Sequence, residues 1–119
     1  MLVGNQNTNV EIYYDNSKKF ETTSTGASVT GNLNVSGHVY LNDDREVVIG
    51  AGQDLKLYHD SATGDSFIKE TGSGNLKLVT STFRVRNAAD TEHIIWANQD
   101  AEVRLYHNCL LYTSPSPRD

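Results

Sequence analysis

The chain has 119 residues, 37% of them hydrophobic, with a formal net charge of −5 and a mean hydropathy of −0.50. This length suits about one domain, and so polar a chain has little apolar surface with which to fill a core. The acidic balance, with Lys18-Lys19 as the densest cationic pair, argues against a nucleic-acid surface, and no run of about 18 apolar residues is available to span a membrane.

In chain order, the first residues, Met1-Leu2-Val3-Gly4-Asn5-Gln6, lack a basic and apolar leader, so no signal peptide is expected. Short alternating runs then predict strands over 10–14, 18–22, 28–30, 33–35, 39–41 and 46–49. The second half predicts strands over 55–59, 66–70, 76–79, 82–86, 93–97 and 102–107. Clusters of Gly, Asn, Ser and Asp separate them, among them Asp15-Asn16-Ser17, Asn42-Asp43-Asp44 and Ala62-Thr63-Gly64-Asp65. Residues 1–108 contain no proline. One segment, 88–92, opens Ala88-Ala89-Asp90 and competes as a short helix. The pattern is all-β, with many short strands and tight turns.

The strands repeat. Val10-Glu11-Ile12-Tyr13-Tyr14-Asp15, Leu55-Lys56-Leu57-Tyr58-His59-Asp60 and Val103-Arg104-Leu105-Tyr106-His107-Asn108 share one signature, their tyrosines 45 and then 48 residues apart. At an offset of 93, Met1 to Gln6 aligns without gaps with Ile94-Ile95-Trp96-Ala97-Asn98-Gln99, and Val47-Val48-Ile49-Gly50 has the same shape. Phe20-Glu21-Thr22 and Phe67-Ile68-Lys69-Glu70-Thr71 form a second series, and Gly31-Asn32-Leu33 and Gly74-Asn75-Leu76 a third. A period in this range marks an array of units, none able to bury its apolar face alone. The units run over about 1–46, 47–93 and 94–108, the last incomplete. By parity Val10 and Ile12, Leu55 and Leu57, and Val103 and Leu105 form the expected core face, with Tyr13, Tyr58 and Tyr106 on the other.

The C-terminus departs from this pattern. The only Cys, Cys109, and both prolines, Pro115 and Pro117, fall in residues 109–119. Every residue of that string matches a conceptual translation of a transposase adapter used in sequencing libraries, so it is expected to be foreign to the fold. Setting Cys109 aside removes any basis for disulfide, zinc or thiol chemistry.

Outward tyrosines suit the apolar faces of sugar rings, which makes Tyr13, Tyr58 and Tyr106 a candidate binding ladder. Packing against a neighbouring chain is the plainer role for a strand tyrosine. His59 and His107 follow their tyrosines, but Tyr14 stands at the corresponding place in the first copy, so no repeated metal-ligand set exists. Gly50-Ala51-Gly52 and Gly72-Ser73-Gly74 lack the remaining features of a phosphate loop and read as turns. Asp43-Asp44 does not fit a calcium loop. Asp15, Asp60, Asp65 and Glu70 supply carboxylates without selecting a pair for hydrolysis. No nucleophile elbow is present, and no catalytic residue, metal or cofactor is expected.

The Tyr-Tyr/His-Asp strings, Ser17-Lys18-Lys19-Phe20-Glu21-Thr22 and Val29-Thr30-Gly31-Asn32-Leu33-Asn34-Val35-Ser36-Gly37 resemble repeats of bacteriophage tail-fibre and related virion structural proteins, of a kind abundant in marine metagenomes. The resemblance covers roughly residues 1–108 and is strongest over 10–37 and 49–78. It implies a β-solenoid or fibre-shaft-like fold, a homotrimer with other fibre chains, and a place in the virion tail fibre, outside the cell once assembled. The expected function is structural and non-catalytic, as a shaft or host-recognition module with host-surface glycans as a possible contact. A carbohydrate-binding adhesin repeat and a segment of a β-helical depolymerase are the alternatives. The terminal string further implies that this chain is an excerpt of a longer one.

Overall fold

The structure, a computed structural model, describes residues 1–4, 9–107 and 110–112, and for His107 and 110–112 the backbone alone. Asn5 and Gln6 of the first apolar run, Asn108 of the third signature, Cys109 and residues 113–119 lie outside the described residues.

Eleven strands and no helix make up the described chain: β1 Leu2–Gly4, β2 Val10–Tyr14, β3 Ser17–Thr23, β4 Gly26–Val29, β5 Val47–Ile49, β6 Leu55–Asp60, β7 Asp65–Glu70, β8 Thr82–Arg86, β9 His93–Asn98, β10 Val103–His107 and β11 Leu110–Tyr112. They form three sheets, ordered β1-β2-β3-β4, β5-β6-β7 and β11-β10-β9-β8. The all-β expectation holds, and each sheet contains one tyrosine strand. By compactness the chain divides into two units, Met1–Val47 with Leu57–Phe67 and Val48–Lys56 with Ile68–Asp119.

The repeat is written into the backbone register. In the first sheet Leu2 faces Ile12, Val3 faces Glu11 and Gly4 faces Val10. In the third Ile95 faces Leu105, Trp96 faces Arg104 and Ala97 faces Val103. Adding 93 to each number of the first set gives the second. Register follows the apolar alternation, since a slip of one residue would turn every side chain to the other face. Strand β11, within the string read as foreign, pairs with β10 (Tyr106 facing Leu111, His107 facing Leu110). It occupies the place that the start of β3 takes beside β2, where Tyr13 faces Lys18 and Tyr14 faces Ser17.

Acidic and amide side chains make the turns. Asp15 and Asn16, at φ 48° and 58°, form the two-residue β2–β3 connection, where two successive positive φ values match the twist of a hairpin. Asp44, Asp90 and Asp100 also adopt positive φ, which Asn and Asp tolerate better than other side chains. The helix expected over 88–92 is absent. Asn87 Oδ1 accepts the amides of Thr91 and Glu92 at 2.9 and 3.2 Å, and the Asn87 amide donates to the Glu92 carbonyl at 3.1 Å, closing a β8–β9 loop. A five-residue segment gains too little from helix propagation to compete with those bonds.

Three other expected strands, over 33–35, 39–41 and 76–79, are irregular. Their alternation is present in the sequence, but no neighbouring strand receives them, and Leu33, Tyr40 and Val79 stay exposed. The predicted core face is also corrected. Among the described residues no side chain, apolar or polar, is buried. Burial along β2 does alternate, but in the opposite sense: Glu11 and Tyr13 are half-buried, while Val10 and Ile12 are exposed. Arg104 and Tyr106 are likewise more covered than Val103 and Leu105. Long polar and aromatic side chains lie across their own face and cover one another, whereas Val10, Ile12, Val103 and Leu105 stay exposed.

Candidate functional site

Each sheet carries a cluster on its tyrosine face. In the first, Glu11 and Glu21 stand directly opposite each other, a like-charged pair that is unfavourable alone. A register shift after Ile12 brings Lys18 to the same face, so that Tyr13 faces Lys18. Lys18 Nζ lies 3.3 Å from Glu11 Oε1 and 2.6 Å from Glu21 Oε2. Tyr13 Oη donates to Glu11 Oε2 at 2.9 Å, and Asn9 Nδ2 donates to Glu11 Oε1 at 3.1 Å. The Tyr13 hydroxyl, then Asn9 and Lys18, hold the Glu11 carboxyl below its ordinary range. That same bond raises the Tyr13 phenol, and Glu21 followed by Glu11 raises Lys18.

The middle tyrosine is held by an aromatic neighbour. Tyr58 stacks on Phe67 with centroids 4.9 Å apart and planes inclined by 14°. Beside it His59 Nδ1 lies 3.1 Å from Ser66 Oγ. The carboxylates here serve turns: Asp60 Oδ1 accepts the amides of Ala62 and Thr63, and Asp44 accepts the amide and hydroxyl of Ser61 at 2.9 and 2.7 Å. Those bonds to Ser61 pull the Asp44 carboxyl down.

In the third sheet Arg84, Trp96 and Arg104 are successive cross-strand neighbours on β8, β9 and β10. The Arg84 guanidinium carbon lies 4.5 Å from the Trp96 ring centroid and that of Arg104 5.7 Å, both within cation–π range. Trp96 Nε1 donates to Asn98 Oδ1 at 2.9 Å, and the His93 ring lies 4.7 Å from Trp96 and 5.9 Å from Tyr106. Arg104 pairs with Glu102, which with Tyr106 raises its pKa further, and Arg86 pairs with Asp90 at 2.8 Å. Arg86 Nε, His93 Nδ1 and Arg104 Nε are covered without a hydrogen-bond partner, part of the cost of packing these side chains together.

The three sequence-predicted tyrosines are thus placed one per sheet, each engaged locally: Tyr13 with Glu11, Tyr58 with Phe67 and Tyr106 with His93. The more open aromatic rings are Tyr14 and Tyr40, 75% and 85% exposed. Reading the sequence alone missed Lys18 as the bridge between two carboxylates, and the Arg84–Trp96–Arg104 stack. Alternation of Arg84 and Arg86 along one strand was the available signal, but the partner strand is set by register.

Glu11 and Glu21 are brought together, yet they share one ammonium, and both Glu11 and Asp44 are shifted down. That is the wrong direction for a general acid at neutral pH. Nor do the glycine turns cradle an anion. A Cβ placed on Gly50 or Gly52 would meet an Asp54 carboxylate oxygen at 2.7 Å, so an acidic group already fills that space. Among the described residues no three of His, Cys, Asp and Glu gather to hold a metal, and no helix is long and apolar enough to cross a membrane. No protein-family model, curated protein or solved structure matches the chain.

Proposed function

We propose that this chain is a structural segment of a fibre of the bacteriophage tail-fibre type, a shaft or host-recognition module that works among like chains, as a homotrimer, and carries no catalysis. Its place is then the virion, outside the cell. The observation that carries the reading is the absence of any buried side chain among the described residues, in a chain whose sheets are well paired. A protein that must be stable alone fills a core first. A module stabilised by neighbours leaves its apolar faces for them. Support also comes from the repeated register, which suits a fibre-shaft or solenoid array, and from carboxylates spent on turns and ion pairs.

Sedimentation velocity on the purified chain tests this reading. A discrete oligomer near three times the 13.2 kDa chain mass is expected. A monodisperse monomer with cooperative unfolding refutes it.

A further inference from the structure

The aliphatic rows of the first and third sheets carry a more specific assignment. In the first sheet the register aligns Leu2, Ile12, Phe20 and Val29 across all four strands, with Gly4 facing Val10 beside them. In the third, Val85, Ile95 and Leu105 form one row and Phe83, Ala97 and Val103 another. None of these positions is charged. Leu2 and Val103 are each 68% exposed and Leu105 47%.

We infer that these aliphatic faces of the two sheets are the ones through which copies of this chain meet, and that the tyrosine faces point away from the contact. The inference rests on the homo-oligomeric reading above and adds the choice of face.

Two observations select a second copy as the occupant. The first is exposure: Leu2, Ile12, Val103 and Leu105 stay 68%, 43%, 68% and 47% exposed, apolar surface of the kind that a standard interface of about 800 Å² per partner removes from water. The second is symmetry. In a closed homo-oligomer, residues near the axis approach their own equivalents. On the tyrosine face of the first sheet that brings Glu11 and Glu21 toward further carboxylates, and on that of the third Arg84 and Arg104 toward further guanidinium groups. Like charges across an interface are unfavourable. The aliphatic rows contain no such group, so a copy of the row complements itself. The β1–β2 and β9–β10 pairs also present this surface in the same register, so each chain offers that part of it twice.

The test uses the full chain with Cys109→Ser, so that each added thiol is the only one. Ile12→Cys and Leu105→Cys sit in the aliphatic rows, and Ser28→Cys and Arg84→Cys on the opposite faces. Under mild oxidation the first two give covalent dimers and the second two do not. In parallel, Leu105→Asp raises the oligomer dissociation constant at least about tenfold by placing a carboxylate in an apolar contact. Tyr106→Ser leaves it within about twofold.

Cross-linking from Ser28→Cys or Arg84→Cys alone, in a chain that still sediments as an oligomer, overturns the choice of face and leaves the assembly reading standing. A monomer with no cross-link from any of the four thiols overturns both.

Discussion

The Arg84–Trp96 contact gives the sharpest local test of how these sheets are held without a core. Arg84→Gln keeps much of the side-chain length while removing the guanidinium that lies 4.5 Å from the only tryptophan. Arg84 is exposed, so the low end of the cation–π range applies, about 0.5–1 kcal/mol. That corresponds to roughly a two- to fivefold change in the unfolding equilibrium. Lost contact along the stem adds to the single-mutant effect, because arginine packs through its methylenes as well. The interaction itself is therefore read from a double-mutant cycle with Trp96→Leu, in which the lost Trp96–Asn98 hydrogen bond cancels. Urea unfolding followed by far-UV circular dichroism serves all four proteins, at one protomer concentration because assembly contributes to apparent stability. A coupling below about 0.3 kcal/mol, the ordinary scatter of additive sites, refutes the claim that the stack holds the tyrosine face together.

Asn16→Val forces a β-branched side chain to φ 58° and is expected to cost about 1–2 kcal/mol, whereas Asn16→Gly stays within about 0.5 kcal/mol; thermal midpoints distinguish them. Gly52→Ala and Gly50→Ala both drive a methyl toward Asp54, but only Gly50 also has a positive φ, at 92°. Asp54→Ala should therefore rescue Gly52→Ala in a melting assay and only partly rescue Gly50→Ala. The Glu11 carboxyl lies below its ordinary value of 4.5, so its contribution is present above that pH and is lost as pH falls through the lowered folded value. The Tyr13 phenol lies above its ordinary value of 10.0, so its contribution is present below that pH and is lost as pH rises through the raised one. Melting temperature against pH should fall at both ends, and Tyr13→Phe should shrink the alkaline limb to the part Lys18 contributes and move the acid limb to higher pH.

Strand identity along the signatures was legible because alternation and repetition agreed: Val10, Ile12, Leu57, Val103 and Leu105 all fall on strands. Turn chemistry was legible too, since Asp15-Asn16 and Gly64 carry their conformations in their residue types. Local pattern failed where pairing decides. Leu33, Val39 and Leu76 alternate like strand residues but have no adjacent strand to hydrogen-bond, and Asn87 captures amides that a helix would have used. The more covered face was misjudged for a related reason. Hydrophobicity names the face a protein should bury, whereas the face covered within one chain depends on which long side chains the register brings together. Lys18 reaches two glutamates, and Trp96 receives two arginines, only through partners set by nonlocal pairing.

The shared register of β1–β2 and β9–β10 makes the length of this protein an editable quantity. A recombination event joining the codon for Val3 to that for Ala97 would delete two repeat units and leave a strand that still meets Val103 and Leu105 in the pairing Gly4 and Leu2 make with Val10 and Ile12. The reciprocal product would gain two units with every inward and outward side chain preserved. A gene built this way can change the reach of its product in two-unit steps, without any step having to solve the folding problem afresh.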